Sequence, residues 1–350
     1  YNKTFDMPTV SKLAQASVVG KIKNKKQYIV HSGEDVIVDA PAEMVTKGFN
    51  YNRDIKKPKL NLKEPDLQEP QNYNVVLQEL LTHENICSRS SIYETYDKQV
   101  QGRTVFEPGE ADAGVLAPFN NSNYPEEIRQ TGIAHSTDHN PTYGKISPYW
   151  CGVNSVVESM RNVAATGATP HAITDCLCFG NPENPEQMWQ FAEATKGVAD
   201  ACKGIRLKHN PDHTVPIIAG NVSFYNESSA GAIPPSPIVS CLGRLSDVDK
   251  AITTGFKKNN SKIMLIGERK KELGGSLYYS LFNHLGKDLP KPNLDQVESE
   301  IWALTDLIDN RLVLSAHDIS DGGVAITLSE MSFYNEIGFE VKINSADRPD

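Results

Sequence analysis

Residues 217–226, IIAGNVSFYN, constrain the fold more than any other stretch of the chain. An apolar, β-branched run changes abruptly into glycine, amide and hydroxyl residues at Gly220, Asn221 and Ser223. The pattern predicts a buried strand whose polar end meets a ligand, as in open α/β sheets. Gly220 lets a bulky group approach the main chain, and Asn221 offers a neutral oxygen suited to Mg²⁺. Taken alone, the stretch is equally typical of a tight turn with an asparagine cap.

A second polar cluster, TDCLCFGNPE at residues 174–183, lies upstream. Asp175 falls in or at the end of a largely apolar strand, where leaving a carboxylate unpaired is costly. It therefore either binds Mg²⁺ or a nucleotide, or has a structural role. In the structural role it would form an ion pair or cap a helix beginning near Pro185. The presence of Asn221 and Ser223 on a neighbouring strand favours the ligand, and we expect all three side chains to converge on one rim of the sheet.

Composition limits the classes of function. The 350 residues suffice for two or three compact units, and a net charge of −9 argues against broad binding to nucleic acid or anionic membranes. No apolar run approaches the ~20 residues of a membrane span and no signal peptide is visible, so we expect a cytoplasmic protein.

The six cysteines are predicted to be buried, reduced thiols, and metal binding by cysteine is disfavoured. Cys176 and Cys178 are two apart, so in a strand they point the same way. The chain begins at Tyr1 rather than at methionine, which indicates a piece of a longer protein.

Hydrophobic periodicity and its breaks predict three units. Residues 16–47 indicate a β-meander, with a first strand over 18–23, and then a short helix; a proline- and lysine-rich linker follows over 50–73. The second unit has the order helix, strand, helix, strand, and a capping box places the start of its central helix at Ser155. This order predicts the α/β (α+β) class. The predicted domains are 1–62, 63–245 and 246–350.

The third unit carries a first glycine-rich candidate for phosphate binding. A buried strand is predicted at 262–266, and Gly274, Gly275 and Ser276 open the helix that follows. Free amides at a helix start suit a phosphate, although glycine pairs before helices are common for structural reasons. The segment is not a P-loop, because no Gly-Lys-Ser follows the glycines.

A second candidate follows a strand predicted at 311–315. The sequence DISDGG places two acids and two glycines before a helix N-terminus. Asp318, Asp321, Gly322 and Gly323 suit Mg²⁺ together with phosphate. Asp321 as a simple helix N-cap is an equal alternative.

Two histidine-containing segments are weaker candidates. His135, Asp138 and His139 fall in one predicted loop, and residues 208–213 form a polar insertion with two further histidines. Neither places an acid and a histidine on a regular element, so we interpret the second as a solvated insertion. A Ser-His-Asp set is not supported, because no serine has a nucleophile-elbow setting.

These segments together resemble phosphoribosylformylglycinamidine synthase, the ATP-dependent amidotransferase of purine synthesis. The resemblance covers nearly the whole chain and rests on motifs in order: YDKQVQG at 96–102, RNVA at 161–164 with Gly167 and Ala168, Asp175 and Cys176 with FGNP at 179–182, GNVS at 220–223, residues 234–243, and DISDGG at 318–323. Shorter pieces recur in a wider superfamily that includes aminoimidazole ribonucleotide synthetase, selenophosphate synthetase and thiamine-monophosphate kinase.

The resemblance implies two tandem halves, each with an A-type and a B-type domain. Residues 1–62 would then be the C-terminal part of the first half's B-type domain with its linker. Residues 63–245 would be the second A-type domain, which binds ATP and Mg²⁺, and 246–350 a truncated second B-type domain.

The resemblance also implies roles for individual residues. Asp175 and Gly220 fall where the family contacts ATP, Asn221 on a Mg²⁺ ligand, and Ser223 on a contact to formylglycinamide ribonucleotide. The two glycine-rich loops of the third unit would form an auxiliary nucleotide site.

The implied reaction converts formylglycinamide ribonucleotide, ATP and ammonia from glutamine into the amidine, ADP and phosphate. The family's catalytic histidines belong to the first half, so we expect this chain to be inactive alone and to need the N-terminal half of the same protein. A glutaminase subunit or domain would supply ammonia, and a small accessory subunit is a further implied partner. Two alternatives stay open: another ATP-using superfamily member, such as a small-molecule kinase or cycloligase, and a nucleotide-stabilised scaffold without turnover.

Overall fold

A computed structural model describes residues 18–342, which divide into two compact units at the boundary between Asn52 and Arg53. In the first unit, strands β1 (Gln27–Ser32) and β2 (Asp35–Pro41) pair as an antiparallel hairpin, and helix α1 (Ala42–Lys47) follows. The predicted first strand over 18–23 is wrong: this segment has no regular secondary structure, and its apolar side chains are exposed. Residues 1–17 of the first predicted domain and 343–350 of the last lie outside the described residues.

The second unit begins with an irregular stretch through residue 72, in agreement with the predicted linker. Its regular elements follow in chain order: α2 (Tyr73–Leu81), α3 (Ser90–Tyr93), β3 (Gly114–Leu116), β4 (Gly132–Asp138), α4 (Pro141–Ile146), α5 (Pro148–Ala165), β5 (Thr169–Cys178), α6 (Pro185–Gly204), β6 (Arg206–Leu207), β7 (Asn210–Thr214), β8 (Ile217–Ser223), β9 (Glu227–Ser228), β10 (Gly231–Ala232), β11 (Ser236–Leu245), α7 (Leu277–Leu281), α8 (Leu294–Asp309) and α9 (Gly323–Phe333). This mixture of helices and strands confirms the predicted α/β (α+β) class.

A five-stranded sheet organises this unit. Its strand order is β3-β4-β11-β5-β8, with every neighbouring pair antiparallel except β5 and β8, which are parallel. Helices α5 and α6 pack together on one face, and α8 packs against α5. We call the opposite side of the sheet the outer face; it carries exposed residues such as His135, Thr137 and Leu242.

The core lies between the sheet and its helices. It is built from alternate strand residues and one stripe of each helix, including Ala134, Ile173, Val239, Cys241, Val153, Val156, Val157, Met160, Val198 and Ala201. The apolar stripe predicted for the central helix is therefore confirmed. Its predicted start is wrong, because the helix begins two turns earlier, where the Ser147 hydroxyl accepts a hydrogen bond from the Trp150 amide at 3.4 Å. Ser155 lies inside the helix and donates to the Cys151 carbonyl at 3.0 Å.

Strand β8 forms as predicted but is not buried. It is one of the two edge strands of the sheet, and Ile217, Ile218 and Val222 are 44%, 60% and 48% exposed. The apolar run predicted the strand correctly, but a sequence does not show whether an edge is covered within the same chain.

The strands predicted at 262–266 and 311–315 are wrong. Neither segment is paired within residues 18–342, and Met264 and Leu312 are 80% and 70% exposed. A β-branched run becomes a strand only when another strand satisfies its backbone groups. The helices predicted in this region do form, as α7, α8 and α9.

Candidate ligand and metal sites

Asp175 and Gly220 are direct neighbours across the parallel pair of strands β5 and β8. A Cβ atom added at Gly220 would lie 2.8 Å from Asp175 Cγ and 2.9 Å from its Oδ2. The carboxylate therefore lies over the glycine, in space that any other residue would fill. The two predicted ATP contacts are brought together, three residues before the end of each strand rather than at the strand tips.

The Asp175 side chain points toward the helix-covered face. Side chains alternate along a strand, and Asp175 shares its face with the core residues Ile173 and Leu177. Burial raises the pKa of the Asp175 carboxyl. Among residues 18–342 this carboxylate has no hydrogen-bond or ion-pair partner, so the structural ion pair and the helix cap weighed from the sequence are both absent there. A half-buried acid without a partner is suited to receiving a cation or a donor from a ligand.

Asn221 lies on the outer face, opposite to Asp175. Asn221 pairs with Cys176, the residue that follows Asp175 on strand β5. Adjacent residues on a strand point to opposite faces, so Cys176 and its partner Asn221 point away from the face of Asp175. The expectation that the carboxylate and the carboxamide converge on one rim is therefore wrong. Because β8 is an edge strand, only a ligand that lies along its open edge reaches both side chains.

Ser223 ends strand β8 on the outer face and is held by Asn226. The Asn226 amide donates to the Ser223 hydroxyl at 3.1 Å, to the Ser223 carbonyl at 2.9 Å and to the Phe179 carbonyl at 3.0 Å. One side chain thus ties the ends of β5 and β8 together and orients the hydroxyl. Asn226 lies in the segment that the sequence singled out, but nothing in a linear pattern shows a hydrogen bond back across a neighbouring strand.

The glycine pair before α7 does not fit a phosphate site. The Gly274 amide donates to the Asp288 carbonyl at 2.9 Å, and the Gly275 amide donates to the Leu285 carbonyl at 2.7 Å. Ser276 is the N-cap and accepts from the Tyr279 amide at 3.2 Å. The amides predicted to hold phosphate are already satisfied within the chain. The glycines instead allow close packing, since a Cβ at Gly274 would lie 2.8 Å from the Asp288 backbone.

The second glycine-rich loop, residues 318–323, lies in an acidic cluster that the sequence did not predict. Its five members come from four separate places in the chain and are Asp112, Asp138, Glu158, Asp318 and Asp321. The side chains of Asp112 and Asp318 are 4% and 9% exposed. Burial, with repulsion between the acids, raises the pKa of Asp138 to about 6 and that of Asp318 to about 7, and raises the pKa of Glu158.

Asp138 lies at the end of β4, not in the loop predicted for it. It accepts a hydrogen bond from the Asn162 amide at 2.6 Å, and Asn162 is only 9% exposed. The Asn162 side-chain oxygen has no partner among the described residues. A buried carboxamide oxygen next to several carboxylates is an arrangement of oxygens that a hard cation such as Mg²⁺ prefers.

His317 is the counter-ion of the cluster rather than a metal ligand. Its Nδ1 lies 2.7 Å from Asp112 and its Nε2 2.9 Å from Glu330. Burial alone would lower the pKa of His317, but the hydrogen bonds to Asp112 and Glu330 raise it to about 10. Asp112, His317 and Asp318 are close enough to share an ion, but an imidazolium carries a proton on each ring nitrogen and so has no lone pair for one. Any cation would bind to the carboxylates.

The glycines of this loop open helix α9. Gly322 occupies the N-cap with φ of +84°, and no side chain caps the helix. Asp321 as a simple N-cap is therefore wrong; its carboxylate instead accepts from the Asn140 amide at 3.3 Å. The uncapped N-terminus of an eleven-residue helix lies beside the acidic cluster, which is the geometry expected for phosphate bridged by a cation.

Residues 110–245 match the N-terminal domain, and residues 258–350 the C-terminal domain, of the AIR synthase related proteins. The chain belongs to the AIR synthase related family.

Within that family the chain is similar to phosphoribosylformylglycinamidine synthase subunit PurL. It is 46% identical to the Methanothrix thermoacetophila protein of that name, over 98% of this chain and 44% of the relative, and 37% identical to that of Methanocaldococcus jannaschii, over 99% and 45%. Among solved structures, Thermotoga maritima PurL complexed with FGAR superimposes with a TM-score of 0.54 at 20% identity, over 91% of this chain and 42% of that chain. The resemblance drawn from the sequence motifs is confirmed. The chain spans less than half the length of these relatives.

None of the helices within residues 18–342 is both long enough and apolar enough to cross a membrane.

Proposed function

We propose that this chain is the second half of a phosphoribosylformylglycinamidine synthase subunit. The whole protein would convert formylglycinamide ribonucleotide, ATP and ammonia into formylglycinamidine ribonucleotide, ADP and phosphate, as an ATP-dependent ligase of purine synthesis. The similarity to relatives of that name over 98–99% of the chain supports the assignment. Activity is proposed for the full-length protein, of which this chain corresponds to less than half.

The unpartnered carboxylate of Asp175 over Gly220 is the observation that carries the proposed ATP contact. Gly220 leaves the strand backbone open to a bulky group, and the half-buried acid needs a positive or hydrogen-bonding partner. The nucleotide would lie along the exposed edge of β8, where it reaches Asp175 on one face and Asn221 and Ser223 on the other.

The side chains on the outer face would position the reacting groups. Asn221 would hold Mg²⁺, which neutralises the charge that develops during phosphoryl transfer. Ser223, fixed by Asn226, would orient the formylglycinamide ribonucleotide so that its amide oxygen receives the phosphoryl group before ammonia displaces phosphate.

The exposed apolar side chains of β8 favour a protein partner at that edge. An exposed apolar edge strand is usually covered by another element, and the N-terminal half of the same protein is the partner we propose. A glutaminase subunit or domain would supply ammonia, and a small accessory subunit and a cytoplasmic location belong to the same proposal.

The acidic cluster supports a second, auxiliary nucleotide site. Asp318 and Asp321 would hold Mg²⁺ together with Asp138 and the Asn162 oxygen, and the amides that follow Gly322 and Gly323 would face phosphate. The Gly274 loop takes no part, because its amides are already satisfied.

The test is an assay of the full-length protein with formylglycinamide ribonucleotide, Mg-ATP and an ammonium salt. We expect ADP formation that depends on all three, and a raised KM for ATP in Asp175→Asn with an unchanged unfolding transition. Asp212→Asn, on the exposed strand β7, is the matched control and should behave as wild type. Nucleotide binding without any substrate-dependent turnover would instead identify the scaffold alternative.

A further inference from the structure

Two thiols lie side by side on the outer face of the sheet. Cys176 and Cys178 are both free and half-buried, and their Sγ atoms lie 3.6 Å apart. Residues two apart on a strand project their side chains in parallel, so the backbone of β5 holds the pair in place. The sequence predicted that they point the same way; it also predicted burial, which is only partial.

The separation of the two sulfur atoms is close to that required by one tetrahedral metal ion. Two thiolates bound to Zn²⁺ at about 2.3 Å and the tetrahedral angle lie about 3.8 Å apart. A disulfide needs about 2.05 Å between the sulfur atoms, well below the observed 3.6 Å. It also usually needs a Cα separation below ~6.8 Å, and two residues of an extended strand already span close to that limit. The pair therefore needs little movement to chelate an ion and a large one to oxidise.

Space and further donors lie beside the pair. Cys176 is in register with Asn221, and Cys178 with Ser223, so all four side chains share the outer face. Asn221 is exposed on the edge strand, which leaves an approach from that side. Its amide oxygen and water would complete four-fold coordination around an ion held by the two sulfurs.

We propose that Cys176 and Cys178 bind one thiophilic divalent ion, Zn²⁺ or Cd²⁺, on the outer face of the sheet. Each thiol loses its proton to solvent as a metal–sulfur bond forms, so binding one ion releases two protons. The ion would lie beside Asn221 and Ser223 and would interfere with Mg²⁺ and substrate there. Only this consequence for activity rests on the proposed function; the binding site does not.

The test is titration of the reduced full-length protein with Cd²⁺, followed by the ultraviolet sulfur-to-cadmium charge-transfer band. We expect the double variant Cys176→Ser/Cys178→Ser to lose one equivalent of bound Cd²⁺. Each single variant should weaken that site by about tenfold or more, a loss seen even for partners that only support a ligand. Cys87→Ser removes another half-buried free thiol and is the matched control that should keep the site.

Equal Cd²⁺ binding by the double variant and the wild type would overturn the proposal, and so would a wild type without the band. Circular dichroism of each variant verifies that the fold is retained. Because the readout is a metal–sulfur band, failure of the ATP-dependent assay leaves this test intact. Loss of the band likewise leaves the proposed synthase reaction intact.

Discussion

Gly220 is the position at which the smallest change tests the site geometry. An added Cβ would overlap Oδ1 of Asp175 and would lie 2.8 Å from its Cγ and 2.9 Å from its Oδ2, where ordinary contacts are 3.4–4 Å. The obstacle is a short side chain and not backbone, so we expect the carboxylate to rotate away. That rotation costs about 0.5–1.5 kcal/mol, while replacing glycine by alanine inside a strand recovers about 0.5–1 kcal/mol. Gly220→Ala should therefore change the free energy of unfolding by less than about 1 kcal/mol while displacing the acid.

A double-mutant cycle separates these two terms. In an Asp175→Ala background nothing obstructs the new methyl group, so Gly220→Ala should stabilise the fold by about 0.5–1 kcal/mol. The coupling energy between the two positions is then about 1 kcal/mol, within the range measured for residues in contact. Urea unfolding of the four full-length proteins measures it, and the single Gly220→Ala variant should show a raised KM for ATP. A coupling energy near zero would refute the placement of the carboxylate over the glycine.

Three further predictions concern other parts of the second unit. Without Mg²⁺, the free energy of unfolding should fall as pH rises from about 4 to 7, because burial raises the pKa of Asp138 to about 6 and of Asp318 to about 7 and so favours their protonated forms in the fold. The Asp138 carboxyl alone lowers the free energy of unfolding by about 3 kcal/mol over this pH range, and excess Mg²⁺ should remove the pH dependence. A pH dependence that Mg²⁺ leaves unchanged in urea titrations would contradict a cation site. Gly243→Ala should lose about 1–3 kcal/mol in the same assay, since its Cβ would overlap Val163 of α5, and unchanged stability would show that the helix gives way freely. Glu64→Ala should lose about 1–3 kcal/mol, because the Glu64 carboxylate accepts two backbone amides at 2.6 Å and a tyrosine hydroxyl at 3.0 Å, whereas Glu64→Gln, which keeps an acceptor, should lose less.

Local patterns predicted the elements that have local causes. The parallel strands β5 and β8 and the helices α5 and α6 follow from apolar periodicity, together with breaks at glycine and proline. The strand predicted at 262–266 was wrong because a strand needs a partner strand, which the local pattern does not show. The start of helix α5 was wrong because two serines, Ser147 and Ser155, both have the pattern of a helix N-cap.

The sites depended on information that a linear sequence lacks. Asp175 and Asn221 were placed correctly on neighbouring strands, but the register that sends them to opposite faces includes an irregularity between Ile173 and Thr174. A one-residue shift in register exchanges the faces of every following side chain. The acidic cluster was missed because its members are as much as 209 positions apart, from Asp112 to Asp321, and only tertiary packing brings them together.

The proposed nucleotide site lies along the open edge of β8, where a magnesium nucleotide contacts Asp175. A crystal structure of the full-length protein with Mg²⁺ and a non-hydrolysable ATP analogue tests it most directly. We expect triphosphate density against Gly220, within hydrogen-bonding reach of the Asp175 side chain or of a group bound to it. A nucleotide bound elsewhere, with protein packed over both residues, would contradict it.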